Sequence, residues 1–501
     1  MNNDRYINLS PSTSLAESCR DMGYSMETAV ADIIDNCIAA EASMVSIRFS
    51  WNSDNPWLAI IDDGHGMSKD ELIAAMRFGS ADPREMRSPN DLGRFGLGMK
   101  TASLSQCRHL IVLSKKTGAF SAFEWDLDQI TGDLCHEWRL GIIDINELNK
   151  LKPLFSLYDK YLQEKESGTI VLWQGFDKME SQSSSAARET VFDALMADTR
   201  KHIELFFHRF LSHERGKSHV VISMNEDKLE GFNPFNPNCP ATQELDEQRF
   251  LLEGQEIIVQ PYILPHRDKV PHQEYEKYAM EEGYLSNQGL YIYRNRRLII
   301  KGTWFRLIKK DVTNQLIRIR VDIPNTLDHL WKIDVKKANA APPESARKEL
   351  RQLMGKIEIK GKRVYTHRGR RLSSSMTPVW NRRAAGGCTL YEINREHPLL
   401  KQLLKNVPSE QEPQLKDTIR LIESSFPADL FFSDLANDSE QVQRPDLEEG
   451  ELENMLDTVI SFLASDGILS PETIKTILST EPFSSHKDLS QTMLRRRGCL
   501  P

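Results

Sequence analysis

Residues 57–66 read WLAIIDDGHG, an apolar run that stops on two adjacent carboxylates and is followed by two glycines within three positions. The run has the length and residue types of a strand. Charge at its end then leaves two readings open. Asp-Gly is ordinary turn chemistry, and strands commonly end in turns. Alternatively, Asp62 lies at the floor of a pocket, and Gly64 and Gly66 let a ligand come close to the backbone. The ten residues alone do not decide between them.

The surrounding chain supplies the context. Residues 25–40, SMETAVADIIDNCIAA, fit a helix capped by Ser25, with Val30, Ile33, Ile34 and Ile38 at helical spacing. Asp32 and Asn36, four apart, share one face of it. Strands are expected at 44–50 and 57–62, and Ser68 caps a second helix that runs to about 78. Residues 79–98 are polar and rich in Gly and Pro, a connection too long to be idle in a compact domain. A helix from about 97 and strands at 108–116, 119–127 and 168–176 follow. Helices and strands alternate without a steady βαβ rhythm, which predicts an α+β layer pair.

Beyond a helical stretch at 184–213, strands at 219–225, 256–264, 289–300 and 317–323 define a second α/β domain, closed near 355 by the helix PESARKELRQLMGK. The expected domains are 1–215, 216–355, 356–445 (a basic stretch and a helical segment) and 446–501 (a small helical module). No stretch approaches the roughly 18 apolar residues of a membrane span, so no membrane partner is expected. Seven cysteines without CxxC spacing argue for reduced thiols and a cytoplasmic location. With a net charge of −8, any contact with nucleic acid must come from a local patch.

Four pieces occur in order: Asp32 with Asn36; Asp62-x-Gly64-x-Gly66; GRFGLGMKT at 93–101; and Thr169 at the head of a strand. Each suits ATP with Mg²⁺. A carboxylate at a strand end can accept the adenine amine, and an Asn oxygen is a hard metal ligand. A glycine loop entering a helix presents free N–H groups to phosphates, with Lys100 as a cation. A carboxylate one turn before Asn36 is placed to orient and deprotonate water. The glycine loop is not a P-loop: Met99 stands where that motif needs lysine directly after the second glycine, and the preceding RSPND is polar.

With these residues in view, the sequence resembles the GHKL ATPases, and within them the MORC-like and MutL-like members and their prokaryotic relatives in restriction and phage defence. The resembling segments are ADIIDNCIAA, IIDDGHGMS, RFGSADP, DLGRFGLGMKTASLSQC and GTIVLW, with a weaker likeness in GLYIYRNRRLI and WKIDVKK. The resemblance implies a Bergerat-type ATP-binding α/β sandwich, a transducer-like α/β domain and a mainly helical C-terminal region. It implies ATP and Mg²⁺ as ligands, with Asp32 as the base and Asn36 as the metal ligand. Asp62, Gly64, Gly66, Met67 and Thr169 would line the pocket. Gly93, Arg94, Phe95, Gly96, Leu97, Gly98, Met99, Lys100 and Thr101 would surround the nucleotide, under a lid formed by 78–92. Lys337 or Lys336 would reach the γ-phosphate.

One departure stands out, because the family's usual base is Glu and Asp32 is one methylene shorter. A shift of ~1.5 Å is enough to slow the reaction. The turn YRNRR (293–297) reads either as a solvated hairpin or as a phosphate-contacting loop. Residues 356–383 hold nine Lys and Arg (356, 360, 362, 363, 368, 370, 371, 382 and 383) against one acid, Glu358, with Tyr365 and Trp380 among them. Such a stretch is either a solvated face or a surface that tracks a nucleic-acid backbone. The functional expectation is a slow, ATP-gated homodimeric clamp on DNA, in phage defence or DNA processing, with segment 1–20 packing across the partner and other defence proteins as further partners. The alternatives are a chaperone-like ATPase and a topoisomerase-type ATPase subunit.

Overall fold

The computed structural model describes residues 17–18, 20–21, 23–52, 55–78, 98–132, 138–179, 184–214, 216–331, 341–366, 378–385, 388–397, 400–401, 404–405, 407–428, 431, 447–463, 469, 471–480, 482–484 and 486–500. They fall into two compact units, 1–366 and 367–501.

The first unit begins with helix α1 (Met26–Ala39), antiparallel strands β1 (Met44–Ser50) and β2 (Trp57–Asp62), and helices α2 (Lys69–Met76) and α3 (Gly98–Gln106). Strands β3 (His109–Lys116) and β4 (Ala119–Asp126), helix α4 (Leu127–Gly132), β5 (Gly141–Ile142), helix α5 (Leu154–Tyr161) and β6 (Gly168–Gln174) follow. Helix α6 (Ser185–Phe206), the single turn α7 (His208–Leu211), β7 (Val221–Met224) and β8 (Asp227–Lys228) complete this layer. The sheet order is β5-β4-β3-β6-β2-β1-β7-β8. All pairs are antiparallel except β1 with β7.

The expected α+β sandwich is present. Strand β2 reads as a continuous apolar run because both of its faces are covered. Leu58 and Ile60 pack under α1, with Val30, Ile33 and Ile34, while Ala59 and Ile61 pack against Leu154 and Leu157 of α5. Alternate residues leave opposite faces of a strand, so two layers demand two apolar sets. One expectation changes here: the strand near 219–225 does not open the second sheet. Its backbone bonds to β1, pairing Met44 with Val221 and Ile47 with Met224, so the first layer reaches 228.

The second sheet contains β9 (Gln243–Glu244), β10 (Gln248–Leu252) and β11 (Gln255–Ile263). Helices α8 (His272–Ala279) and α9 (Gly283–Ser286) intervene before β12 (Gly289–Arg294), β13 (Arg297–Thr303) and β14 (Ile317–Ile323). The order is β10-β11-β14-β12-β13, with β9 on β11 and with β12 parallel to β14. After the turn α10 (Asp328–Trp331), helix α11 (Glu344–Thr366) covers one face of this sheet through Ala346, Leu350, Met354 and Ile357. The other face sets Tyr262, Tyr291 and Tyr293 against Leu205 at the end of α6 and Phe235. Helix α11 extends past the expected boundary near 355, into the basic stretch.

In the second unit, a hairpin of β15 (Trp380–Ala385) and β16 (Cys388–Ile393) precedes helix α12 (Glu412–Ser424). The hairpin departs from the sequence reading, in which no strands were expected there. Helices α13 (Glu449–Leu463), α14 (Pro471–Leu478) and α15 (Lys487–Arg496) bury Leu452, Leu456, Ile477, Phe483, Met493 and Leu494 together. No helix among the described residues is long and apolar enough to cross a membrane.

Candidate active site

The site is built where β2, α1 and the start of α3 meet. Asp62 ends β2 directly opposite Thr169, the second residue of β6, and Thr169 in turn faces Ser114 on β3. Three neighbouring strands thus bring a carboxylate and two hydroxyls into one row. Ser114 Oγ accepts the Met67 N–H at 2.9 Å and lies 2.9 Å from Thr169 Oγ1, so the row also fixes the chain after the glycines.

The Asp62 carboxylate is buried and accepts the Gly64 N–H at 2.9 Å. The Cys37 thiol of α1 also donates to it. Burial nevertheless dominates and pushes the Asp62 pKa up to about 6. The same burial, with Asp62 beside it, pushes the Cys37 thiol well up.

Gly64 and Gly66 answer the question of their missing side chains. A Cβ on Gly64 would stand 2.7 Å from the Ala40 carbonyl oxygen, and one on Gly66 1.8 Å from that of Lys115. Gly66 also has φ +63°, in the left-handed region. Gly66→Ala should therefore cost roughly 1–3 kcal/mol in backbone strain before the clash is counted. Urea unfolding should show a drop in midpoint larger than for Gly118→Ala, whose Cβ meets nothing within 4 Å and whose φ is also positive, at +80°.

On α1, Asp32 is buried and its Oδ2 accepts the Tyr24 hydroxyl at 2.9 Å. A Cβ on Gly98 would lie 3.6 Å from the same oxygen, so the carboxylate faces the first turn of α3. An acid there is favoured by the free N–H groups of a helix start. Asn36 presents an exposed amide one turn further on. Lys100 and Thr101, in the same turn of α3, are buried. The Lys100 ammonium donates to the Ala75 carbonyl at 2.7 Å, and burial lowers its pKa to about 8. Lys100 thus ties α3 to the end of α2 rather than standing open toward a phosphate.

Gly93, Arg94, Phe95, Gly96 and Leu97, the lid segment from 79, Lys336, Lys337 and all of 1–20 except 17, 18 and 20 lie outside the described residues. Among the described ones, Tyr24, Cys37 and Ser114 are not singled out by the sequence: each touches a motif residue, Asp32, Asp62 or Thr169, but no spacing in the chain announces the contact. His65 and His109 serve structure: His65 Nδ1 lies 2.8 Å from the Gly66 carbonyl and His109 Nε2 lies 2.8 Å from Glu124. The YRNRR turn is neither solvated nor open. Arg294 forms a buried fork on Asp328, and Arg297 a buried pair with Asp35 of α1.

The donor set fits a nucleotide at its base end. A buried acceptor, Asp62, stands at the end of β2, and α1 offers a carboxylate and an amide on one face; Gly64 and Gly66, expected to let a ligand near the backbone, are instead required by the chain's own backbone at Ala40 and Lys115. Mixed sheet, covering helices and this pocket define a GHKL-type ATP-binding domain, and a model of the histidine kinase-, DNA gyrase B- and HSP90-like ATPases matches residues 24–169.

Within it the chain is similar to MORC ATPases. It is 30% identical over 95 residues to ATPase morc-1 of Caenorhabditis elegans, covering 19% of this chain and 11% of that protein. It is also 30% identical over 96 residues to ATPase MORC2B of Mus musculus, covering 19% and 9%. The matches span about a tenth of the length of these relatives.

Proposed function

We propose that the protein binds ATP with Mg²⁺ and hydrolyses it slowly, using the nucleotide to gate a homodimeric clamp on DNA. The observation that carries the nucleotide reading is the buried Asp62 carboxylate at the end of β2, in one row with Thr169 and Ser114. Asp62 would accept the adenine amine, and Thr169 and Ser114 would hold the pocket floor. Asn36 would offer its amide oxygen to Mg²⁺, whose charge offsets that of the triphosphate. Asp32, oriented by Tyr24, would take the proton of the attacking water at its carboxylate. Its short, buried side chain supports a low turnover, because reach to the water is one methylene less than Glu provides.

The DNA reading rests on the excess of Lys and Arg over acids in residues 356–383. Lysines 336 and 337 are the candidates for sensing the γ-phosphate, and a place in phage defence follows from the resemblance alone. The nucleotide domain extends to 228, where its sheet ends, in place of the expected 215, and the second domain to 366, where helix α11 ends, in place of 355.

The test is molar mass in solution with Mg²⁺ and either ADP or a non-hydrolysable ATP analogue, followed by DNA binding across a salt series. Mass should double with the analogue only. DNA affinity should fall with a log–log slope of about −0.9 for each phosphate contacted. Unchanged mass in both nucleotides would reject the clamp, and salt-insensitive or absent DNA binding would reject the substrate.

A further inference from the structure

The strongest unexplained feature is the Asp35–Arg297 pair. Asp35 belongs to α1, and Arg297 begins β13, 262 residues later. Arg297 Nε donates to Asp35 Oδ1 at 2.8 Å, and Nη1 donates to the Leu298 carbonyl at 2.7 Å. The guanidinium centre lies 4.9 Å from the ring of Phe207. Both side chains are closed to solvent, at 3% and 0% exposure.

The turn that delivers Arg297 is itself held. Asn295 and Arg296 have φ of +47° and +71°, as a two-residue hairpin turn of matching twist requires, although Arg296 is not glycine. Arg296 donates to the Ser218 carbonyl at 2.9 Å and to that of Arg209. Arg294 is bound separately to Asp328 of α10. The hairpin is thus fastened on three sides, and Arg297 is the side chain that reaches Asp35 of α1.

Burying two charges consumes much of what their attraction returns, so such a pair is a weak source of stability compared with apolar residues of like volume. What it does impose is position. At 100° per residue, Asp35, Asp32 and Asn36 fan over about 100° of the α1 surface, with Asp32 in the middle. A group that holds Asp35 therefore sets the rotation and height of the two side chains assigned to chemistry and metal.

We propose that Arg297 is a positioning residue. Through Asp35 it fixes α1 in its working register and carries the nucleotide state of that helix into the second sheet. This rests on the ATP-site reading above. The test is hydrogen exchange with and without an ATP analogue and Mg²⁺, in wild type and in the double variant Asp35→Leu/Arg297→Met. Removing both charges avoids a lone buried ion. The control is Arg294→Met/Asp328→Leu, which removes a similarly buried pair that ties the same hairpin to α10 instead of α1.

In wild type and control, the nucleotide should slow exchange roughly tenfold in α1 and in residues 289–303. In the Asp35/Arg297 variant, α1 should still respond while 289–303 does not. Nucleotide affinity should stay within about threefold and kcat should fall at least about tenfold. Arg297→Lys, which keeps the charge but loses the planar fork, serves if the double variant does not fold, with a weakened hairpin response expected.

A hairpin that answers nucleotide equally in wild type and variant would overturn the proposal. So would a wild-type hairpin that is silent while α1 responds, or a control that loses the response as fully as the variant. A wild-type α1 that ignores the nucleotide would instead reject the ATP site, and the coupling with it.

Discussion

Asp62→Asn should bind ATP about ten- to a hundredfold more weakly than wild type, and should at the same time be more stable without nucleotide at pH 7. The affinity loss follows from removing a charged, buried acceptor from the adenine amine, worth roughly 1.5–3 kcal/mol. The stability gain follows from the same burial. The carboxyl is raised from an ordinary 3.8 to about 6 in the folded protein. Between those values the native state holds more protons than the unfolded chain, so stability falls as pH rises through that window and stays lower above it. The full loss corresponds to about 3 kcal/mol. Asparagine resembles the protonated acid and should escape it.

Urea unfolding at pH 7.5 should therefore favour the variant, whereas below about pH 4 the two proteins should converge. Nucleotide titration at pH 7.5 supplies the other half. A variant that binds as wild type does would remove Asp62 from the adenine site. One that is less stable at pH 7.5 would mean that the polar contacts to Gly64 and Cys37 outweigh desolvation.

Asp32→Ala should retain ATP binding within a few-fold while its turnover falls by about 10²–10⁴, the usual contribution of a positioned base. Single-turnover hydrolysis measured beside nucleotide affinity separates the two effects. Tyr24→Phe should show the same pattern more mildly. It leaves the carboxylate in place but removes the hydroxyl that donates to Oδ2 at 2.9 Å. Equal turnover in Asp32→Ala and wild type would exclude Asp32 as the base.

Much of the nucleotide layer was legible from residue order. Strands β1 and β2 coincide with the expected strands 44–50 and 57–62, and β2, covered on both faces, leaves an uninterrupted apolar signature. The pairing of Asp32 with Asn36 on one helix face follows from helical geometry alone; glycine after Asp62 points to a close approach, but the group that approaches is the chain's own backbone at Ala40 and Lys115, which residue order does not reveal. Strand β7 was misplaced for an equally physical reason. Four residues alternating in burial specify a strand but not the sheet edge that receives it, and its partner β1 lies some 177 residues earlier.

Local sequence determined which segments become helices, strands and turns, and which of them carry carboxylate, amide and glycine, since these depend on periodicity and on side chains within a few residues of one another. Only the tertiary structure decided what those groups touch. Tyr24 on Asp32, Cys37 on Asp62 and Lys100 on Ala75 are contacts made by folding. The YRNRR turn shows the division most sharply: its two-residue loop is readable, but neither solvent nor phosphate receives its arginines. Asp35 and Asp328 receive Arg297 and Arg294, 262 and 34 residues away, because buried charges must find opposite charge wherever the packed layers bring it near, while Arg296 donates to the carbonyls of Ser218 and Arg209.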